Sequence, residues 1–342
     1  MNHFDWVAAH DLAQATRAAD STVASAMIAP QGQVRSNASI LKGGGIDLLD
    51  LMKEGLLAPR RLVNLREISG LDRIEQNGEG LRIGAMVTLA RIAADPTIRA
   101  RYRALADAAG ASASPEIRAV ATIGGNLLQR PRCWYFRSAA HYCARKGGSG
   151  CYAFGGENQY HAIFDHHGCA IVHPSTAATA LVALGAKLEV VNAEGKTRVV
   201  GLEQFFVLPD TDIHRENDLQ AGEIVTAVLL PGVPQTLRSV HVKQGETDSF
   251  DWPLADVAVV LDFTQTDECS RASIVLGAAA PTPKRAVVAE ELLVGKIVDA
   301  SVARNAGRAA LIGAEPLSKN AYKLKIFEAL VSRALIATTA RR

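Results

Sequence analysis

Residues 122–174 read TIGGNLLQRPRCWYFRSAAHYCARKGGSGCYAFGGENQYHAIFDHHGCAIVHP and hold four of the chain's five cysteines, Cys133, Cys143, Cys151 and Cys169. Scattered at random, five cysteines would place about one in a window of this length. The stretch shows little helical or strand periodicity and is rich in Gly, His and aromatic residues, so it reads as a long ordered loop. A loop of this length inside a compact domain needs something other than a core to tie it down. Cysteine ligands to a metal centre supply such a tie.

Nine, seven and seventeen residues separate successive cysteines, and no Cys-x-x-Cys pair occurs. Zinc knuckles and ferredoxin-type runs favour close pairs, so the spacing names no metal. Four thiolates suit either tetrahedral zinc or a cubane cluster. On the residues alone, zinc, an iron–sulfur cluster and buried free thiols stand level. His141, His161, His166, His167 and His173 lie nearby as alternative ligands, although a lone loop histidine is more often a hydrogen-bonding group. Cys269 lies apart, in an expected polar turn after Asp267-Glu268, and reads as an incidental thiol.

The rest of the chain sets limits on this reading. At 342 residues it is long enough for two domains, each with its own core. Its 48% apolar and 21% charged content describes an ordinary globular protein. A net charge of +2 gives no argument for nucleic acid or an acidic membrane surface. No signal-like apolar segment is visible at the start, and no run approaches a membrane span. Cysteines in such a chain are expected to be ligands, catalytic groups or buried thiols, not disulfides.

Upstream of the cysteine loop stand two glycine turns. Residues 39–65 read as a short strand, a turn at Gly43, Gly44 and Gly45, an amphipathic helix from about Asp47, and a second strand in RRLVNL. Such a turn lets backbone N–H groups and a helix N-terminus approach a phosphate. It is neither a P-loop nor a G-x-G-x-x-G fingerprint, and a plain turn is the bland alternative. LRIG at 81–84 alternates like a strand, Thr88 can cap the helix after it, and RARYRALADAAGASAS reads as one helix with a small-residue C-terminal end. The second turn follows at Thr122, Ile123, Gly124, Gly125 and Asn126, where Thr122 and Asn126 can bond a ligand or merely local backbone.

Downstream, STAATALVALGAKLEVVNAEGKTRVV reads as a helix and a hairpin turning at Ala193-Glu194-Gly195, and GEIVTAVLLPG as another strand. Three meander strands from Leu237 and helices near 285–293, 301–311 and 321–337 then describe an α+β second domain. No Ser-His-Asp context, H-E-x-x-H motif or defensible carboxylate pair marks a substrate site, so no catalytic residue is assigned.

Taken together, GGGIDLL at 43–49, LRIGAMVTL at 81–89, ATIGGNLL at 121–128, LGAKLEVV at 184–191, ASIVLGAAAPTPKRA at 272–286 and NAYKLKIFEALVSRAL at 320–335 resemble the FAD-binding subunit of molybdenum hydroxylases, the family of carbon monoxide dehydrogenase medium chains and xanthine dehydrogenase flavoproteins. The resemblance spans essentially the whole chain. GGNLLQRPRCWYFR with its spaced cysteines resembles the branch found in bacterial three-subunit aldehyde oxidoreductases, which carries an extra [4Fe-4S] cluster.

That resemblance implies an α+β chain. A two-part FAD-binding domain over 1–231 carries an inserted iron–sulfur loop at 130–173. A C-terminal domain over 236–342 has a three-stranded antiparallel sheet and a helix bundle. It implies FAD contacts from Ile40, Leu41, Lys42, Gly43, Gly44, Gly45, Ile46, Asp47 and Leu48, from Thr122 to Asn126, and from Lys243, with Cys133, Cys143, Cys151 and Cys169 on the cluster. Two positions depart from the family pattern: Ile46 stands where Thr or Ser is usual, and Thr176 follows Ser175 where Asp is common.

The implied role is electron transfer. A large molybdenum-cofactor (molybdopterin) subunit would oxidise an aldehyde, a small [2Fe-2S] subunit would pass electrons on to this chain's FAD, and an external acceptor would receive them. Arg130, Arg132, Arg137 and Arg145, with the loop aromatics, are residue types that favour a partner interface. The rival readings are a self-contained flavin oxidase or dehydrogenase and a zinc-stapled non-catalytic module. The compartment is left open between the cytoplasm and export as a folded complex on a partner's signal.

Overall fold

The computed structural model describes residues 2–31, 33, 34 and 37–339. The first part of the chain builds two sheets. Strands β1 (Asp5–Ala8), β2 (Ser39–Lys42) and β3 (Arg61–Asn64) lie parallel in the order β1-β3-β2. Strands β4 (Ile74–Asn77), β5 (Gly80–Gly84), β6 (Lys187–Val191), β7 (Thr197–Gly201) and β8 (Ile224–Leu230) form an antiparallel sheet in the order β4-β5-β8-β6-β7. The expected hairpin is the β6–β7 pair, with Gly195 at φ +76° in its turn.

Helix α1 (Ile46–Lys53) follows β2, and the short α2 (Ile123–Leu127) follows the second glycine turn. Helix α3 (Thr176–Ala183) is buried over its whole length, which its Ala, Thr, Leu and Val composition permits. Thr88 caps the helix Leu89–Ala94, accepting from the Arg91 N–H at 3.3 Å. The single helix expected over 99–114 is instead two, Pro96–Arg101 and Arg103–Gly110, the second ending before the small residues that follow. The break is Tyr102 (φ −130°, ψ 50°), a buried residue whose hydroxyl donates to the Pro231 carbonyl at 2.7 Å. Burying the ring and satisfying its hydroxyl override the local helical pattern.

The C-terminal sheet has four strands, not the three expected. They are β9 (Arg238–Gln244), β10 (Ala255–Phe263), β11 (Cys269–Gly277) and β12 (Lys284–Arg285), in the order β12-β11-β10-β9. The extra strand is two residues long, just beyond Pro281 and Pro283, too short to show an alternating pattern. Cys269 is fully buried at the start of β11 and not in a polar turn.

Strand β10 is almost continuously apolar because both of its faces are covered. Val257, Val259 and Leu261 face a core shared with helix α4 (Tyr322–Thr339) and the helix Ala300–Ala309. Ala258 and Val260 face the other way, into the core of the five-stranded sheet and α3. One sheet thus serves both halves of the molecule.

A candidate flavin cleft and a candidate metal centre

The two glycine turns meet. Hydrogen bonds to the segment after β5 pin the second one, with the Ile123 N–H donating to the Val87 carbonyl and the Gly124 N–H to the Ala85 carbonyl, both at 2.9 Å. This places Val120 and Thr122 directly over Gly44. A Cβ at Gly44 would lie 2.3 Å from the Val120 carbonyl oxygen, and one at Gly43 would lie 3.0 Å from Thr122 Oγ1. Glycine is therefore required there by the approach of one turn to the other. Gly45 is required for a different reason, its φ of +86°, which L side chains rarely adopt. No side chain caps α1, so its first-turn N–H groups are available at the edge of the turn.

Between the turns opens a cleft of about 240 Å³. Of the expected contact residues, Ile40, Leu41, Gly43 to Leu48, Thr122, Gly124, Gly125, Asn126 and Lys243 line it, whereas Lys42 and Ile123 do not. Lys42 Nζ turns back to the Gly43 carbonyl at 3.1 Å and lies over the Trp6 ring, with its pKa lowered by burial and by Arg66. Ile123 is buried in the core. Thr122 Oγ1 accepts from the Gly125 N–H at 3.2 Å and caps α2, while Asn126 Oδ1 accepts from the Ser175 hydroxyl at 2.5 Å. Both polar side chains thus hold the turn in shape.

The two departures from the family pattern sit on the cleft wall. Ile46 is exposed at the start of α1. Thr176 is buried and shares a 2.5 Å hydrogen bond with the Ser112 hydroxyl. Sequence reasoning missed the remaining wall, including Glu216 and Trp252, which come from loops without a recognisable pattern.

The four clustered cysteines converge. Cys133, Cys143, Cys151 and Cys169 line one small cavity with Tyr135, Phe136 and Arg145. Cys269 lies elsewhere, in the C-terminal core. Burial pushes Cys133 up to about 11 and raises Cys143. The hydrogen bond between the Cys151 and Cys169 thiols raises Cys151 and lowers Cys169, and Arg145 lowers Cys169 further. Of the nearby histidines, His161 comes within reach, its Nε2 3.2 Å from Cys133 Sγ. Burial and Lys323 hold His161 down to about 4, so it is a neutral ring. Among the described residues, no group of three or more His, Cys, Asp or Glu is arranged to hold a single metal ion.

Charge holds this loop in place. Its regular structure amounts to the turns Trp134–Arg137 and Ala144–Lys146. Asp47 accepts from the Arg130 main-chain N–H at 2.8 Å, from Arg137 at 2.6 Å and from Arg132 at 2.8 Å, tying α1 to the loop. Asp50 takes the second branch of both guanidinium groups, at 3.0 and 3.1 Å. Deeper in, Glu216 accepts from Arg130 at 2.8 Å and from Arg145 at 2.6 Å, with all three side chains at most 3% exposed. Phe136 lies beneath, 4.9 Å from the Arg130 guanidinium. The arginines expected at a partner interface therefore point inward. The loop's exposed aromatics are Trp134, Tyr152, Phe154 and Tyr160.

With this geometry in hand, comparison with known proteins identifies the class. Residues 2–233 match the FAD binding domain in molybdopterin dehydrogenase, and residues 241–338 match the CO dehydrogenase flavoprotein C-terminal domain. The chain belongs to this family of FAD-binding subunits, and so is a subunit of a molybdenum hydroxylase type of oxidoreductase complex.

It is 34% identical over 301 residues to the aldehyde oxidoreductase FAD-binding subunit PaoB of Escherichia coli (strain K12), covering 87% of this chain and 91% of that protein. The carbon monoxide dehydrogenase medium chain of Hydrogenophaga pseudoflava is 28% identical over 319 residues, covering 92% and 93%. In fold, a chain of the reconstituted CO dehydrogenase from Oligotropha carboxidovorans matches with a TM-score of 0.74 at 23% identity, covering 100% of this chain and 99% of that one.

Proposed function

We propose that this chain binds FAD in the cleft between the glycine turns and a [4Fe-4S] cluster on Cys133, Cys143, Cys151 and Cys169. In this reading it relays electrons within a molybdenum-dependent aldehyde oxidoreductase. The observation that carries it is the meeting of four cysteines, spread over 37 positions of sequence, at one cavity in a chain of this family. The excess of buried cations around those thiols supports an anionic centre: Arg130 and Arg145 share Glu216 as their buried carboxylate, while Lys146 donates only to main-chain carbonyls of Tyr135 and Ser138. The aldehyde is suggested by the likeness to the E. coli aldehyde oxidoreductase FAD-binding subunit, and the large molybdenum subunit and small [2Fe-2S] subunit are what the family resemblance implies. We take 1–231 and 236–342 as the two domains, with 130–173 as the inserted loop. The outermost ends, residues 1 and 340–342, lie outside the described residues.

Each group has a defined task in this reading. The α1 N-terminus and the Gly43–Gly45 backbone orient the cofactor's pyrophosphate through main-chain N–H groups, so a hydroxyl at position 46 is dispensable. Gly124 and Gly125 keep the facing wall free of side chains. Bound FAD supplies a junction between one-electron and two-electron chemistry. The four thiolates hold the cluster, and the loop aromatics exclude water from it. Trp134, Tyr152, Phe154 and Tyr160 form the partner-facing surface, since their rings stay exposed while the arginines are internal.

The visible spectrum and iron content of the purified protein test this. Flavin bands with a broad brown shoulder and about four irons per chain are expected. Cys151→Ser is expected to deplete iron and make the loop sensitive to protease, while Cys269→Ser leaves iron unchanged. A colourless zinc protein, or full iron after Cys151→Ser, refutes the cluster. Aldehyde-dependent flavin reduction by this chain alone refutes the relay in favour of a self-contained oxidase.

A further inference from the structure

Resting on the cluster assignment above, we propose that Arg145 sets the reduction potential of the cluster, with Glu216 as the counter-charge that positions it. Arg145 is 1% exposed and stands in the wall of the cysteine cavity. Its Nη1 donates to Glu216 at 2.6 Å, and its Nε points to Cys169 Sγ at 3.5 Å. Its Nη2 is buried with no hydrogen-bond partner. A buried guanidinium nitrogen without an acceptor is costly, and an anionic sulfur in that cavity is the acceptor it lacks.

The charge balance points the same way. Glu216 is shared between Arg145 and Arg130, and Arg130 also feels Asp47. Over the loop as a whole four arginines meet three carboxylates, Asp47, Asp50 and Glu216, which leaves a positive surplus. The surplus positive charge is stable only beside an anion. Four thiolates around an iron–sulfur core are net anionic, and one-electron reduction adds a further negative charge with no bond made or broken. A fixed cation and N–H···S donors stabilise the reduced form more than the oxidised form and raise the potential. Glu216, one residue further out, opposes that effect. It also lines the flavin cleft, so the same carboxylate lies between the two sites.

The charges make the two residues act with opposite sign, which a purely structural role cannot imitate. Loosening the loop by either substitution would admit water and move the potential the same way in both. The test is a redox titration of the assembled complex with dithionite as reductant, followed by the EPR signal of the reduced cluster, alongside iron and flavin content. Arg145→Gln is expected to shift the reduction equilibrium about tenfold toward the oxidised form, a fall of about 59 mV for one electron. Glu216→Gln, which keeps an acceptor oxygen but loses the charge, is expected to shift it about tenfold the other way. Arg145→Lys should fall between wild type and Arg145→Gln.

With iron retained, potentials that move in the same direction, or by less than twofold, overturn the proposal. If Arg145→Gln holds no cluster, Glu216→Gln decides: a rise supports the role, and no change or a fall overturns it. Wild-type complex without iron on this chain overturns the cluster assignment itself, and the proposal with it.

Discussion

The cleft proposed for FAD and the cysteine cavity are joined through the Glu216–Arg145 pair yet are built by opposite means. The cleft is made of backbone: two glycine turns, fixed by the ends of β2 and α1 and by main-chain bonds to the segment after β5. Where the turns meet, its side chains are small or internal to the turns. The cavity is made of side chains on a loop with only two single turns of regular structure, held by Asp47, Asp50 and Glu216 against four arginines. The cleft should tolerate charge changes and fail when a methyl group is added. The cavity should tolerate small changes of shape and fail when a carboxylate is lost.

The largest expected effect tests the second half of that contrast. Glu216→Ala leaves two buried guanidinium groups without their carboxylate and should cost about 3–5 kcal/mol. Chemical denaturation of the holoprotein measures it, and a loss below about 1 kcal/mol would show that the ion network is incidental.

Next comes a pair that divides the cleft. Gly44→Val drives a Cβ into the Val120 carbonyl and should destabilise the protein by about 3 kcal/mol or more even without flavin. At Gly125 the Cβ would meet only Thr122 Oγ1, at 3.1 Å. Gly125→Val is therefore expected to keep stability within about 1 kcal/mol while losing flavin from the purified protein. Equal loss of stability in both variants would erase the distinction between a packing glycine and a ligand-facing one.

The smallest effect probes the boundary between the loop and the C-terminal domain. Lys323 is fully buried and donates to the His161 and Ala278 carbonyls, and burial lowers it to about 7. Above pH 7 the folded protein releases this proton while the unfolded chain, with an ordinary lysine near 10.5, keeps it. Stability from this group therefore rises as pH increases from about 7 toward 10.5, and is lost as pH falls through 7. Between pH 7 and 8 wild type should gain about 1 kcal/mol relative to Lys323→Met. Parallel pH profiles for the two proteins would mean that Lys323 keeps its proton throughout.

Much of this was legible in the chain. The glycine triplet, the Thr122–Asn126 turn, the cysteine cluster and the hairpin at Gly195 all rest on local chemistry that one segment displays by itself. In the sequence alone Arg145 reads as an interface residue, because Arg and aromatics together have that bias. Its burial depends on Glu216, 71 positions away, and no local pattern announces such a partner. In the sequence alone Gly44 has a ligand-facing reason, because the turn by itself looks like a phosphate cradle. The obstacle to a side chain there is Val120, on a separate segment.

The sequence by itself determined most of the strands, turns and helices, the membership of the family, and the candidate cofactor and metal residues, but it ran two helices around Tyr102 together and showed no sign of β12. Spacing, glycine content and thiol clustering are properties of one segment at a time. Only the tertiary structure decided that β10 serves two cores, that the turns limit each other, and that one carboxylate stands between the cleft and the cavity. Those facts arise where segments distant in the chain are packed together and charges leave water. The energy of burying an ion or a methyl group is fixed by the neighbours that packing brings, and those neighbours are not written beside it in the chain.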